Sequence, residues 1–156
     1  TEKEYFFQTI YHSVSALSFL KRGALIVFEK NNGLDEFINN GETIDAALSH
    51  KLLLMIFNTA TALHDGAVII RKGRIHAVKV VLPLSNNVEY IHQFGTRHLA
   101  GIGLTEQTDA FVIIVSEETG RISFAKEGVI YPNLSAEELQ QKLRDASDAR
   151  FSRIDR

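Results

Sequence analysis

The sequence predicts an α/β fold: a single domain on a mixed, mostly antiparallel central sheet flanked by helices. Three observations predict it. Continuous apolar runs at 24–29 (ALIVFE), 67–71 (AVIIR) and 109–116 (DAFVIIVS) are short and rich in β-branched residues, as buried strands are. Segments with apolar residues at helical spacing stand before, between and after those runs. The 156 residues, 45% of them apolar, suit one core, and no internal repeat or low-complexity tract divides them.

Taken in order, residues 4–20 (EYFFQTIYHSVSALSFL) form a helix that Lys21-Arg22-Gly23 ends. This N-terminal segment, 1–22, packs on or leads into a domain spanning 23–146, and 147–156 is a polar, frayed tail. After the first strand, Asn32-Gly33 and Asn40-Gly41 mark turns around a small helix near Leu34–Ile38. Asp45 is placed to cap a helix running through Leu48, Leu52, Met55, Ile56 and Ala60. Residues 67–71 and 74–82 (RIHAVKVVL) flank Lys72-Gly73 as a hairpin, and Pro83 stops its second strand. A polar loop at 85–89 leads to a helix over 96–106. Beyond the strand at 109–116, Glu118-Thr119-Gly120 turns into 121–126 (RISFAK). Ser135 with Glu138 forms a capping box that opens a helix to about Ala146.

Composition removes several classes of function. The absence of cysteine excludes disulfides, thiolate metal sites and cysteine nucleophiles. A net charge of −2 implies no basic face, so no nucleic-acid partner is expected. The apolar stretches are too short to span a bilayer and no signal peptide pattern is present. A cytoplasmic location without membrane contact from this segment is therefore expected. The first residue is Thr, so a further N-terminal region is expected ahead of it, as in a domain of a longer or membrane-anchored protein.

Chemistry concentrates on three polar segments: 63–67 (LHDGA), 95–98 (GTRH) and 116–120 (SEETG). Asp65 offers a carboxylate for a divalent cation or for a hydroxyl proton, and Gly66 lets a ligand approach the backbone. An ordinary Asp-Gly turn is the plainer alternative. Gly95, Thr96, Arg97 and His98 precede a helix that Thr96 can cap, and a helix N-terminus beside an arginine binds anions. A routine cap with solvated side chains is the alternative there. Ser116, Glu117 and Glu118 close an apolar strand, and ligands gather beyond the carboxyl ends of strands in open α/β sheets. A solvated turn is the alternative. Together the three supply what phosphoryl transfer needs, positioning and charge neutralisation.

No P-loop is present, and Gly101-Ile102-Gly103 lacks a third glycine, so no standard nucleotide-binding motif supplies the site. The His64-Asp65 pair runs straight into a strand, unlike metal phosphohydrolase sites built on helices. His12, His50, His76 and His92 have no partner at i+4 and form no zinc pattern. Asn133-Leu134-Ser135 matches a glycosylation sequon but reads as a loop.

The blocks GALIVFEK (23–30), LHDGAVII (63–70), LPLS (82–85), GTRH (95–98) and DAFVIIVSEETGRIS (109–123), in this order and spacing, resemble the diadenylate cyclase domain family. That resemblance covers Arg22 to about Leu143 and implies ATP as substrate. Two ATP condense into the bacterial second messenger cyclic di-AMP with release of two pyrophosphates. It implies that the family's Asp-Gly-Ala motif is Asp65, Gly66 and Ala67, with Asp65 binding Mg2+ or Mn2+ and activating the ribose hydroxyl. Arg97 and His98, at the first two positions of the family's Arg-His-Arg motif, would grip phosphate with Gly95 and Thr96 beside them. Ser116, Glu117 and Glu118 would face phosphate and metal, His64 and Glu118 would be further metal ligands, and Leu82 would contact adenine partly through its backbone.

One domain holding one ATP cannot close a two-fold ring, so a homo-oligomer with a face-to-face dimer is required for catalysis. The chain departs from the family pattern twice. Leu99 replaces the second arginine of the motif, and a lost charge-assisted hydrogen bond is worth about 1.5–3 kcal/mol. Val81 stands where relatives often carry an aromatic, and it packs on a base without stacking. Two other readings stay open: a nucleotide-binding regulatory module with catalysis weakened by Leu99, and a nucleotide hydrolase on the same scaffold.

Overall fold

A computed structural model describes residues 1–154, with side chains described through Ser147. The first helix, α1 (Glu2–Phe19), buries Phe7, Ile10, Val14 and Leu17 on one stripe, the spacing that puts side chains on a single helical face. Strand β1 (Ala24–Phe28) is buried along its whole length. It is followed by α2 (Asp35–Ile38), β2 (Glu42–Ala47), α3 (His50–Ile56), β3 (Ala67–Arg71) and β4 (Arg74–Val80). Then come α4 (Val88–Ile91), α5 (Thr96–Gln107), β5 (Phe111–Val115), β6 (Ile122–Lys126), β7 (Val129–Tyr131) and α6 (Ala136–Ile154).

The seven strands form one sheet in the order β2-β4-β3-β1-β5-β6-β7. Only the central pair, β1 with β3, is parallel, and every other neighbour is antiparallel. The mixed, mostly antiparallel sheet is the one the apolar runs predicted. Alternation along β1 divides the core. Ala24, Ile26 and Phe28 pack with α1, α3 and α6, whereas Leu25 and Val27 pack with α5 and the residues around α2. A one-residue slip would exchange the two faces of every strand, so burial on both sides holds the register.

Several expectations change. Asp45 does not cap α3; it lies in β2 at φ +45°, at a bulge against β4, and its carboxylate accepts from Arg74 Nε at 2.8 Å. Ser49 is the cap, with Oγ accepting from the Leu52 amide at 3.2 Å. The helix expected through Ala60 stops at Ile56, and a separate 3-10 turn covers Ala62–His64. The second hairpin strand ends at Val80 rather than residue 82. The last helix continues to Ile154 across most of the expected frayed tail, of which residues 155 and 156 lie outside the described residues. β2, α4 and β7 had no counterpart in the sequence reading.

The stretch after β4 is bolted to α5. The Ser85 amide donates to the Leu99 carbonyl at 2.9 Å, and the buried Ser85 hydroxyl donates to Glu106 at 2.9 Å. Gly103 makes this possible, because a Cβ there would land on the backbone of Pro83 and Ser85. Backbone cannot swing aside as a side chain can. Gly103→Ala is therefore expected to cost about 1–3 kcal/mol in urea unfolding, the range for overpacked sites.

Candidate active site

Strand register brings two of the polar segments, 63–67 and 116–120, to one edge of the sheet, and Arg97 of the third lies against Gly23 there. Ala24 pairs with Val115, Ile26 with Val68, and Ala67 with Val80. Gly23, Asp65-Gly66, Val81-Leu82 and Ser116-Glu117 therefore all lie just beyond the same ends of β1, β3, β4 and β5. Two of these strands end there and two begin there. The parallel pair β1–β3, sandwiched between antiparallel β4 and β5, is the reason. Asp65 and Ser116 stand two strand positions apart, about 10 Å.

Asp65 follows the 3-10 turn in extended conformation and is exposed. Among the described residues its carboxylate has no hydrogen bond or ion pair. Gly66 sits at φ +82°, and a Cβ there would press on the β4 backbone at Lys79 and Val80. Gly66 thus locks the turn against β4, and Ala67 is fully buried as the first residue of β3. Of this motif only Asp65 presents a reactive group. His64 Nδ1 bonds the Thr61 carbonyl at 2.7 Å, which makes Nδ1 the donor and leaves Nε2 as an acceptor.

The N-cap of α5 is Gly95, not Thr96, and no side chain caps the helix. The first-turn amides of Thr96, Arg97 and His98 are left to whatever occupies the edge. Arg97 lies over Gly23, with Nη1 3.9 Å from Glu117 Oε1. That distance is an ion pair without a hydrogen bond, and Glu117 is mostly exposed, so the pair is worth about 0–1 kcal/mol. Arg97 remains available to an anion. The His98 ring stacks on Phe94 with centroids 5.6 Å apart. Burial, and then the Arg97 charge, hold its pKa below the ordinary 6.5, so His98 is neutral at pH 7. Leu99 is half-buried and carries no charge, which leaves Arg97 as the one cation of its motif.

Ser116 is used by its own turn: its Oγ accepts from the amides of Glu118 at 3.2 Å and Thr119 at 3.3 Å. Glu117 and Glu118 project from that turn into solvent. The Leu82 side chain is 5% exposed and packs in the core beside Ala100 and Ile102, so only its backbone can face a base. Its neighbour Val81 is 64% exposed, with backbone N–H and C=O both held by Asn40. Among the described residues no three His, Asp or Glu side chains converge as a metal-binding group, so Asp65, His64 and Glu118 do not make a protein-only metal site.

Three residues to which the sequence assigned no site role also stand at this edge. Gly23 is the floor under Arg97. Ser18, near the end of α1, donates to the Gly120 carbonyl at 2.5 Å and ties the acidic turn to that helix. Lys21 lies beside Gly120. Nothing local marks them, since each acts on a residue some 75 to 100 positions away.

A lowered His98 pKa means that the unfolded chain binds a proton there more readily than the folded one. Stability from this group is present above pH 6.5 and is lost as the pH falls through and below it. Urea unfolding between pH 7.5 and 5.5 is expected to show a smaller loss in His98→Gln than in the wild type.

A family model described as "DisA bacterial checkpoint controller nucleotide-binding" matches residues 11–130. The chain is 44% identical over 131 residues to the diadenylate cyclase CdaS of Bacillus thuringiensis, covering 84% of this chain and 64% of that protein. It is 39% identical over 142 residues to a diadenylate cyclase of Listeria monocytogenes, covering 91% of this chain and 52% of that protein. It thus spans less than two thirds of the length of either relative. A crystal structure of a doubly substituted DacA from Staphylococcus aureus superposes with a TM-score of 0.89 at 39% identity, covering 92% of this chain and 96% of that one.

Proposed function

Because the chain belongs to the family described as DisA bacterial checkpoint controller nucleotide-binding, we propose that it is a diadenylate cyclase domain, condensing two ATP into cyclic di-AMP and releasing two pyrophosphates. The observation that carries this reading is one sheet edge holding an unpartnered carboxylate, Asp65, and a cation, Arg97, at an uncapped helix N-terminus. In each half-reaction the 3′-oxygen of one ATP bonds to the α-phosphorus of the other. The bond from that phosphorus to the β-phosphate oxygen breaks, pyrophosphate leaves, and the hydroxyl proton is released.

Arg97 and the amides of Thr96, Arg97 and His98 hold the phosphates. Gly95 keeps the approach to those amides clear of a side chain, and neutral His98 adds a hydrogen bond rather than a charge. Asp65 orients the attacking hydroxyl and draws off its proton. Gly66 and Ala67 fix where that carboxylate stands. Ser116 shapes the turn that presents Glu117 and Glu118. The Leu82 backbone and the exposed Val81 side chain border the base. A divalent cation, Mg2+ or Mn2+, supplies charge neutralisation when bound, and one carboxylate plus phosphate oxygens is a donor set that Mg2+ accepts. Asp65 would be its protein ligand, since Glu118 stands on a turn two strands away and does not converge with Asp65 and His64.

Each edge carries one set of these groups, so two domains must face each other for the reciprocal second bond. The reading puts the domain in the cytoplasm, where ATP is supplied, with no nucleic-acid partner and no membrane contact from this segment. No helix among the described residues is long and apolar enough to cross a membrane.

Purified protein with ATP and Mn2+ or Mg2+ is expected to yield cyclic di-AMP and pyrophosphate, at a rate rising faster than linearly with protein concentration. Asp65→Asn is expected to lower it by about a hundredfold or more, within the range for losing a general base. Absence of product across metals and concentrations would sink the reading. Leu99 with a neutral His98 favours a second one, a nucleotide-binding module with weakened catalysis, and calorimetry would then show ATP binding without turnover. In either case Leu99→Arg is expected to raise the rate about tenfold or more, as a restored charge-assisted hydrogen bond implies.

A further inference from the structure

We propose that Gly23 is a positioning residue for phosphate binding: its missing side chain is the seat on which the Arg97 guanidinium lies. Arg97 holds phosphate in the proposed cyclase, and on that reading this inference rests. Glycine is required for one of two reasons, a left-handed backbone or a close neighbour. The first does not apply, since Gly23 is not among the positive-φ glycines. The second has a single author: the three heavy atoms nearest to where a Cβ would stand are Cζ, Nη1 and Nη2 of Arg97. A buried residue at the start of a core strand otherwise has every reason to carry a side chain, and its successor Ala24 does.

The seat also aims the guanidinium. Ala24 pairs with Val115, so Gly23 stands level with Ser116, and Arg97 crosses β1 to come within 3.9 Å of Glu117 on the neighbouring strand end. A long, flexible side chain loses rotamer freedom when it grips a phosphate. Packed flat on the Gly23 backbone, Arg97 loses much of that freedom before the ligand arrives, and Glu117 keeps the site from being an unbalanced charge. An added methyl would lift the guanidinium off its seat. Because the displaced atoms are the far end of a side chain, the fold would survive.

The test is a cycle of Gly23→Ala, Arg97→Ala and the double variant, each assayed for thermal unfolding, for cyclic di-AMP formation and for ATP affinity by calorimetry. Gly23→Ala is expected to melt with the wild type yet to lose roughly tenfold or more in kcat/KM, the scale of a misplaced positioning group. In the Arg97→Ala background the same substitution is expected to change nothing, which a merely structural role would not produce. Wild-type behaviour of Gly23→Ala, or an equal loss on both backgrounds, overturns the proposal. A wild type that binds ATP without turnover defeats the cyclase reading alone, and the affinity cycle then decides the seat by the same criteria. A wild type that neither binds nor turns over ATP defeats both. If Gly23→Ala does not fold, the Arg97 Nε signal in 15N relaxation of the wild type decides: an ordered side chain supports the seat, and one as mobile as exposed arginines overturns it.

Discussion

The parallel pairing of β1 with β3 is the constraint on which the rest of this structure depends. All other pairs in the sheet are antiparallel, and three of them, β3–β4, β5–β6 and β6–β7, are joined by short turns. The parallel pair needs a crossover, and residues 29–66 provide it through α2, β2 and α3. Its consequence is directional. With β1 and β3 starting at the same edge, Gly23 and Asp65-Gly66 are neighbours there, and antiparallel β4 and β5 deliver Leu82 and Glu117 to the same place. Were β3 reversed, Asp65 would stand at the opposite edge, about 17 Å away for a five-residue strand.

The two sheet edges treat arginine in opposite ways. At the far edge Arg71 donates to Glu29 at 2.7 and 2.9 Å and to Asp35 at 2.6 Å, contacts that drive its pKa further up. Glu29 is nearly buried and also accepts from the Leu34 amide, so that arginine is saturated and closes the core. At the near edge Arg97 has one carboxylate at 3.9 Å, no hydrogen bond to it, and open helix amides beside it. The first arrangement completes itself. The second leaves the guanidinium without a hydrogen bond to that carboxylate, and the phosphate-binding role proposed for Arg97 rests on this contrast.

What could be read from the chain varied with how local its cause was. The β3–β4 hairpin was legible because Lys72 and Gly73 occupy a two-residue turn, both at positive φ, between β-rich runs. The capping box was legible because Ser135 and Glu138 satisfy each other's amides, at 2.9 and 3.1 Å, within four residues. β2 was not, since it is an edge strand exposed along nearly its whole length and therefore shows no apolar alternation. Asp45 was misread for a related reason: a carboxylate ahead of an apolar helical pattern looks like a cap, and only its pairing with Arg74 across two strands shows otherwise.

By itself the sequence determined the family resemblance, the class of sheet and the polar segments that interrupt its apolar runs. Those properties are written in local composition and in the order of short blocks. Tertiary structure alone decided what each polar residue does at the edge. It turned the Ser116 hydroxyl onto its own turn, buried the Leu82 side chain in the core, moved the cap of α5 to Gly95 and laid Arg97 on Gly23. The reason is physical. Strand direction and register set which residues meet, they are settled by burial on two faces at once, and no local pattern around Gly23 encodes an arginine that arrives 74 residues later.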